Sequence, residues 1–176
     1  AQDRGGFMPV LWSDFNPRRQ IPNFVAYVNM GRPRQYEVQR KWRRLHGFVD
    51  QEYFPGPDGA KVVPFKSSTC ATRRDCACKE VVSSRGHMAT LSHFAFHQAA
   101  AGATNTYVNQ VPARQPFDGG QWNARERQNA EYTQTEGKIY VVKGPSRESD
   151  GVVEGRSTEV ASSFWGAMYD PRKEEA

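Results

Sequence analysis

The most informative part of the chain is SRGHMA at residues 84–89, together with YVNQVPARQ at residues 107–115 and FDGGQWNARE at residues 117–126. In the first piece His87 follows a short strand-like run and a glycine, and in the second Asn109 lies in an alternating, strand-like run. In the third, Asp118 precedes a strongly helix-forming run and is predicted to be its N-cap. A histidine, a strand asparagine and an acidic residue at a helix start therefore follow one another closely.

Strands predominate in the rest of the chain. Aromatic and β-branched residues predict strands at residues 21–30 and 138–143, and alternation predicts another at residues 106–111. Helices are predicted at residues 92–103 and 121–132. The remaining predictions are an irregular lead-in at residues 1–20, a polar loop at 146–157 and a last strand or helix around 160–168. This pattern predicts an α+β fold with a largely antiparallel sheet, in a single domain spanning residues 1–176.

Composition leaves the partner open. Hydrophobic residues make up 38% of the 176 residues, which suits one folded domain. Lysine and arginine number 24 against 19 aspartates and glutamates, giving a net charge of +5 that favours anionic partners but also fits an ordinary basic surface. No apolar run approaches the ~20 residues that span a bilayer.

Three cysteines, Cys70, Cys76 and Cys78, lie close together. A disulfide joining Cys70 to Cys76 or Cys78, with one thiol left over, is the preferred interpretation, and free thiols come second. A zinc cluster is the alternative, but it needs four ligands and this segment supplies three. The chain begins at Ala1 without a basic-then-apolar leader, so we expect that any signal peptide has been removed. These features predict a secreted or periplasmic protein.

The three pieces, taken in order, resemble the DNA/RNA non-specific endonucleases, the ββα-metal nucleases related to endonuclease G. The resemblance extends more loosely to IPNFVAYVNMG at residues 21–31 and KIYVVKGP at residues 138–145. It therefore covers roughly residues 20–145 and is centred on residues 84–126. It implies a ββα-metal finger motif in that central region and DNA and RNA as substrates.

The resemblance also implies a role for each residue of the site. His87 matches the general base, and Asp118 matches the residue that binds one Mg²⁺ or Mn²⁺ ion. Glu126 matches the residue that orients a water on the metal, and Asn109 one that braces the site. An arginine on an earlier strand grips the phosphate, and Arg44 is the nearest match, although a solvated basic face explains it almost as well.

The residue types suit phosphodiester hydrolysis. A neutral imidazole is the side chain best able to take a proton from water near pH 7. A hard divalent cation, held by one oxygen ligand and waters, stabilises the phosphorane and the leaving 3′-oxygen. Hydrolysis of this kind leaves 5′-phosphate and 3′-hydroxyl ends and does not use the 2′-hydroxyl of RNA.

Phosphate contacts are expected from basic residues near the site, which fix a substrate without reading its sequence. The chosen residues are Arg85, Arg114, Arg125 and Arg127, with Arg40 and Lys41 as further candidates. The other histidines, His46, His93 and His97, are interpreted as ordinary surface or core residues.

Three positions depart from the family pattern. Ser84 stands where the family usually has aspartate, Asp118 where it has asparagine, and Ala130 where it has an arginine. Ser84 and Ala130 favour an alternative in which the chain binds nucleic acid but has lost catalysis. A second alternative is a small disulfide-stabilised secreted domain that binds proteins through its basic face.

Overall fold

The computed structural model describes residues 11–30, 62–63, 84–94, 98–114, 117–153 and 157–173. In these ranges the strands are β1 (Leu11–Asn16), β2 (Ile21–Asn29), β3 (Val62–Val63), β4 (Ser84–His87), β5 (Gln110–Ala113), β6 (Ile139–Pro145), β7 (Ser149–Val153), β8 (Glu159–Ala161) and β9 (Phe164–Tyr169). The α-helices are α1 (Gln98–Ala103) and α2 (Asn123–Glu136), with single 3₁₀ turns at Leu91–Phe94 and Tyr107–Asn109 and a π-helical turn at Phe117–Trp122.

An antiparallel sheet of four strands, in the order β1-β2-β6-β9, supports the site. Its central pair, β2 and β6, aligns Val25 with Lys143 and Tyr27 with Val141. These four side chains are buried. Because alternate residues of a strand share a face, they lie on the core side of the sheet. The predicted α+β fold with a largely antiparallel sheet is confirmed.

Two smaller sheets complete the described structure. Strands β4 and β5 form an antiparallel pair that aligns His87 with Gln110. Strands β3, β7 and β8 form the third sheet, in which β3 and β7 are parallel. The π-helical turn at Phe117–Trp122 follows β5 and leads directly into α2. Helix α2 ends at Glu136, and the Gly137 that follows has a φ of 86°, which glycine adopts without strain.

The core lies between the large sheet, the β4–β5 pair and the start of α2. Its fully buried members include Phe94, Met88 and Val111. Phe117 stacks on Phe164 of β9 at a ring-centroid distance of 5.1 Å, and Trp122 packs against the same ring in a tilted arrangement at 5.5 Å. This aromatic contact anchors the entry to α2 against the sheet. Among the residues described, no helix is long and apolar enough to cross a membrane.

Two predicted irregular segments contain strands. Residues 11–16, in the predicted lead-in 1–20, form β1, because pairing with β2 along Leu11–Asn16 outweighs the loop-like content of the following Pro17. Residues 149–153, in the predicted loop 146–157, form β7 because they pair with both β8 and β3. Sequence-local reasoning does not detect pairing partners that are distant in the chain.

Two further boundaries differ from prediction. The strand predicted at 106–111 begins only at Gln110, since a 3₁₀ turn occupies Tyr107–Asn109. The prediction that Asp118 is an N-cap is wrong, because Asp118 lies inside the π-helical turn and Trp122 precedes α2 with helical dihedral angles. The segment 64–83, which includes the three cysteines, lies outside the described residues.

Candidate active site

His87 is held at the end of β4 by its backbone. The indole nitrogen of Trp122 donates a hydrogen bond to the His87 carbonyl at 3.3 Å, and this bond joins the strand to the start of α2. The next residue, Met88, donates its amide to the carbonyl of Asn109 at 2.9 Å. The histidine therefore lies where the β4–β5 pair meets the helix, and its side chain is half-buried.

Two side-chain amides contact the Nε2 atom of the His87 imidazole. Asn105 Oδ1 lies 3.0 Å from it and Gln110 Nε2 lies 3.3 Å from it. An acceptor oxygen requires a proton on Nε2, whereas a donor nitrogen requires a lone pair there. The shorter contact favours the Nε2–H tautomer. The Oε1 atom of Gln110 is buried and has no hydrogen-bond partner among the described residues, so rotation of this amide would give that proton a second acceptor.

Asn109 makes hydrogen bonds to the loop that leaves β4. Its side chain is fully buried, and its amide nitrogen donates to the carbonyls of Ala89 and Thr104 at 2.8 and 2.7 Å. Its amide oxygen accepts from the Ala89 backbone at 2.7 Å. Three buried bonds to backbone groups fix the loop beside His87, so Asn109 acts on the architecture of the site.

Asp118 approaches β4 over a glycine. A Cβ atom at Gly86 would lie 3.4 Å from Asp118 Oδ1 and 3.2 Å from the Cβ of Ala113. Because Gly86 has no side chain, the Asp118 carboxylate has room beside it, next to His87 in the sequence. Asp118 also acts electrostatically on Glu126, whose pKa it raises. Asp118 therefore lies beside the glycine that precedes His87 and close enough to Glu126 of α2 for their charges to interact.

Glu126 lies in the first turn of α2, and its side chain is 14% exposed. The Oε1 atom of its carboxylate lies 3.4 Å from the Nζ of Lys143. Burial raises the pKa of Glu126 above its ordinary value, while the Lys143 ammonium opposes that rise. Burial also favours the neutral form of Lys143, and it therefore lowers the pKa of that residue.

His93 joins the helix to the sheet behind this site. Because the Glu126 carbonyl 3.2 Å away can only accept, the Nε2 atom of His93 carries the proton and Nδ1 accepts from the Tyr27 hydroxyl at 3.0 Å. The imidazole is 1% exposed, and burial lowers its pKa to about 4, with a further contribution from Lys143. The prediction that His93 is an ordinary core residue fits this setting.

Comparison with known proteins identifies the family of the chain. A model of the family described as DNA/RNA non-specific endonuclease matches residues 4–176. The chain belongs to that family. A chain of the crystal structure of the EndoG/EndoGI complex, described as revealing the mechanism of EndoG inhibition, aligns with a TM-score of 0.58. The alignment covers 96% of this chain and 68% of that chain at 18% identity, which shows the likeness of fold. No curated protein sequence matches the chain.

Family membership makes the arginines candidates for contact with nucleic acid. Arg85 lies on β4 with its guanidinium 5.7 Å from the centre of the Tyr107 ring. Arg125 and Arg127 are exposed on α2, in the turn that carries Glu126. Arg114, in contrast, forms a 2.6 Å salt bridge with Asp150, so its charge is partly neutralised.

The predicted roles of Arg85, Arg114, Arg125 and Arg127 in binding nucleic acid stay predictions. Arg44, Arg40 and Lys41 lie outside the described residues, as do His46 and His97. Residue 130 of α2 is an alanine, so the charge of the arginine that the family pattern has there is missing at that position.

The donor chemistry of the site fits a divalent cation. Asp118 offers a carboxylate beside β4, and Glu126 offers a second one that the first repels. Oxygen donors of this kind suit a hard ion such as Mg²⁺, which retains several waters. In the described part of the chain, no group of three or more His, Cys, Asp or Glu side chains forms a metal site.

Three residues of the site escaped the sequence analysis. Asn105 and Gln110 contact the His87 imidazole, and Lys143 contacts Glu126. Gln110 could have been found, because it pairs with His87 once strands β4 and β5 are aligned. Lys143 follows the alternation of KIYVVK on the buried side, where a charged residue is unusual and indicates a partner.

Proposed function

We propose that the chain is a Mg²⁺-dependent endonuclease that hydrolyses the phosphodiester bonds of DNA and RNA without sequence preference. The observation that carries this proposal is the position of His87. Its backbone is bonded to Trp122 at the helix start, its preceding glycine leaves room for Asp118, and the same helix presents Glu126. A base and two carboxylates are thus assembled from three separate elements, with the fold of a nuclease family.

His87 supplies the base in this proposal. With the proton on Nε2 and donated to Asn105, the lone pair of the neutral imidazole is on Nδ1. Nδ1 takes a proton from the attacking water, whose oxygen forms a bond to phosphorus. The P–O3′ bond then breaks, and the leaving oxygen acquires a proton from solvent. The products carry 5′-phosphate and 3′-hydroxyl ends.

Asp118 is the residue that would hold the metal ion directly, and Glu126 lies beside it to orient water. When bound, the divalent cation supplies a Lewis acid that stabilises negative charge on the phosphate and on the leaving oxygen. Arg85, Arg125 and Arg127 would contact the phosphates that flank the scissile bond, and this explains a lack of sequence preference. Secretion and the disulfide at Cys70 stay predictions.

A plasmid-nicking assay tests the function. Wild-type protein should cut supercoiled DNA with Mg²⁺ or Mn²⁺. The cleavage activity should be lost in excess EDTA and should return when Mg²⁺ is restored. Zn²⁺ should restore the activity poorly, because one carboxylate and waters suit a hard octahedral ion. Activity that persists in excess EDTA would exclude the metal from the reaction.

The product ends and the substrate range provide a second test. Labelled DNA and RNA oligonucleotides should both be cut, and the fragments should be substrates for ligation without phosphatase or kinase treatment. Cyclic 2′,3′-phosphates on RNA would instead indicate attack by the 2′-hydroxyl. Binding of DNA without any cleavage, at all metal concentrations, would favour the alternative of a nucleic-acid-binding protein that has lost catalysis.

A further inference from the structure

Lys143 is a charged residue in an apolar position. It lies on the core side of β6 between the buried residues Val141 and Pro145, and it is only 3% exposed. Its stem packs beside Gly166 of β9, where an added Cβ atom would lie 3.4 Å from the Lys143 Cγ. Its ammonium reaches under α2, 4.8 Å from the centre of the Trp122 ring.

The ion pair with Glu126 does not need to exist for stability. Removing two charges from water costs about as much as their attraction returns, and apolar replacements of buried pairs are often neutral or stabilising. An apolar residue at position 143 would continue the pattern of Ile139 and Val141. The 3.4 Å contact between Nζ and the Glu126 carboxylate therefore requires another explanation.

The contact explains how the Glu126 carboxylate keeps its orientation. Its carboxylate is largely buried, and Asp118, a carboxylate at the position where the family pattern has a neutral amide, adds a smaller repulsion. Repulsion between two like charges in a partly buried site favours rotation of one of them towards solvent. The Lys143 ammonium attracts Glu126 from the sheet side, with its Nζ atom 3.4 Å from the Glu126 Oε1 atom, and opposes that rotation.

We propose that Lys143 is a positioning residue, whose ammonium holds the Glu126 carboxylate in its working orientation beside the additional carboxylate of Asp118. Asp118 and Glu126 alone carry a formal charge of −2, and Lys143 brings the total to −1. A neutral amide and a glutamate would carry the same charge of −1. Lys143 itself has no contact with substrate in this inference, which rests on the proposed function because it assigns Glu126 a role in cleavage.

The test is a double-mutant cycle between the two residues. Lys143→Met should lower kcat on DNA by roughly 10- to 100-fold with little change in KM, because a displaced catalytic group costs rate. Glu126→Gln should also lower kcat, and adding Lys143→Met to it should lower kcat by less than roughly 2-fold more, since Lys143 acts through Glu126. Lys138→Met, which removes a lysine from the exposed residue before β6, is the matched control and should match wild type.

Three results would overturn the inference: a wild-type kcat in Lys143→Met, equal losses from Lys143→Met in the wild-type and Glu126→Gln backgrounds, or a fall in melting temperature that accounts for the lost activity. If Lys143→Met does not fold, Lys143→Gln, which retains a donor without the charge, takes its place with the same expectations.

Crystal structures provide a readout that does not depend on cleavage. In Lys143→Met the Glu126 carboxylate should rotate away from its wild-type position, while the Asn109 bonds stay in place. An unmoved carboxylate would contradict the role of Lys143 even in a protein without activity. Absence of nuclease activity in the wild type, combined with a displaced Glu126 in the variant, would instead overturn the proposed function and leave the positioning role standing.

Discussion

The Nε2 atom of His87 lies 3.0 Å from the Oδ1 atom of Asn105, which comes from the turn after α1. This contact orients the imidazole through a residue that no sequence motif indicates. With Nε2 protonated, the nitrogen able to accept a proton is Nδ1. The orientation of the base therefore depends on an amide from a different element, and this dependence is testable.

Asn105→Asp should move the acid limb of the kcat/KM profile to higher pH. A carboxylate beside the imidazole favours its charged form and raises its pKa, so a larger fraction of the base is protonated and inactive. A shift on the order of 1 pH unit is expected from a charge at hydrogen-bond distance. Asn105→Ala is the control and should lower the rate without that upward shift. An unchanged profile in Asn105→Asp would show that the base is not His87 or that the amide does not contact it during the reaction.

His87→Ala should fold like the wild type and cleave about 10²- to 10⁴-fold more slowly. The fold should persist because Trp122 donates to the His87 backbone carbonyl, which the substitution retains. Melting temperature and nicking rate, measured on the same preparation with saturating Mg²⁺, check both parts. Cleavage at the wild-type rate by the folded variant would require another base.

The residues proposed for the site could be selected from the sequence because their signals are local. His87, Asp118, Glu126 and Asn109 lie in three short pieces of sequence, and in the structure Asp118 lies beside the glycine before His87 while Asn109 bonds to the loop after it. The π-helical entry to α2 was not predictable, because Asp118-Gly119-Gly120 has the composition of an ordinary helix start.

Contacts between distant elements account for the rest. Strand β1 exists through its pairing with β2, and β7 through its pairing with β8 and β3. Asn105 reaches His87 only because the 3₁₀ turn at Tyr107–Asn109 returns the chain to β4. Tertiary contacts of this kind override local preference, and a single sequence does not display them.

The buried imidazole of His93 should make stability depend on pH. Its pKa is about 4 in the folded protein and about 6.5 when the chain is unfolded, so the unfolded state binds the proton more readily. The resulting contribution is fully present above pH 6.5 and is lost as the pH falls towards 4. It amounts to about 3 kcal/mol.

Urea unfolding of wild type and His93→Gln between pH 7 and 4 isolates this contribution. The difference in the free energy of unfolding between the two proteins should shrink by about 3 kcal/mol over that interval, because the variant lacks the titrating ring. Other groups titrate equally in both proteins and cancel in the difference. A difference that is constant with pH would show that the folded protein accommodates the charged imidazole beside Lys143.

The final prediction concerns Asp118 and separates metal binding from helix stabilisation. A carboxylate in the first turn of a helical segment stabilises it by about 0.3–1 kcal/mol through the helix dipole. Both Asp118→Asn and Asp118→Ala remove that charge, so both should lower the melting temperature by a similar small amount. The two variants should differ in activity, since the amide oxygen of asparagine still coordinates a hard ion while alanine offers no donor.

We therefore expect Asp118→Ala to abolish cleavage, and Asp118→Asn to retain much of the wild-type rate at saturating Mg²⁺. In the Asn variant, the Mg²⁺ concentration for half-maximal activity should rise by roughly 10-fold or more, because one negative charge beside the ion is lost. Glu131→Gln, which removes a charge from the exposed side of α2, is the matched control and should leave the metal requirement unchanged. Full activity with an unchanged metal requirement in folded Asp118→Ala would show that other ligands hold the ion. An equal rise of the half-maximal Mg²⁺ concentration in Glu131→Gln would show that the effect of Asp118→Asn comes from the general loss of negative charge.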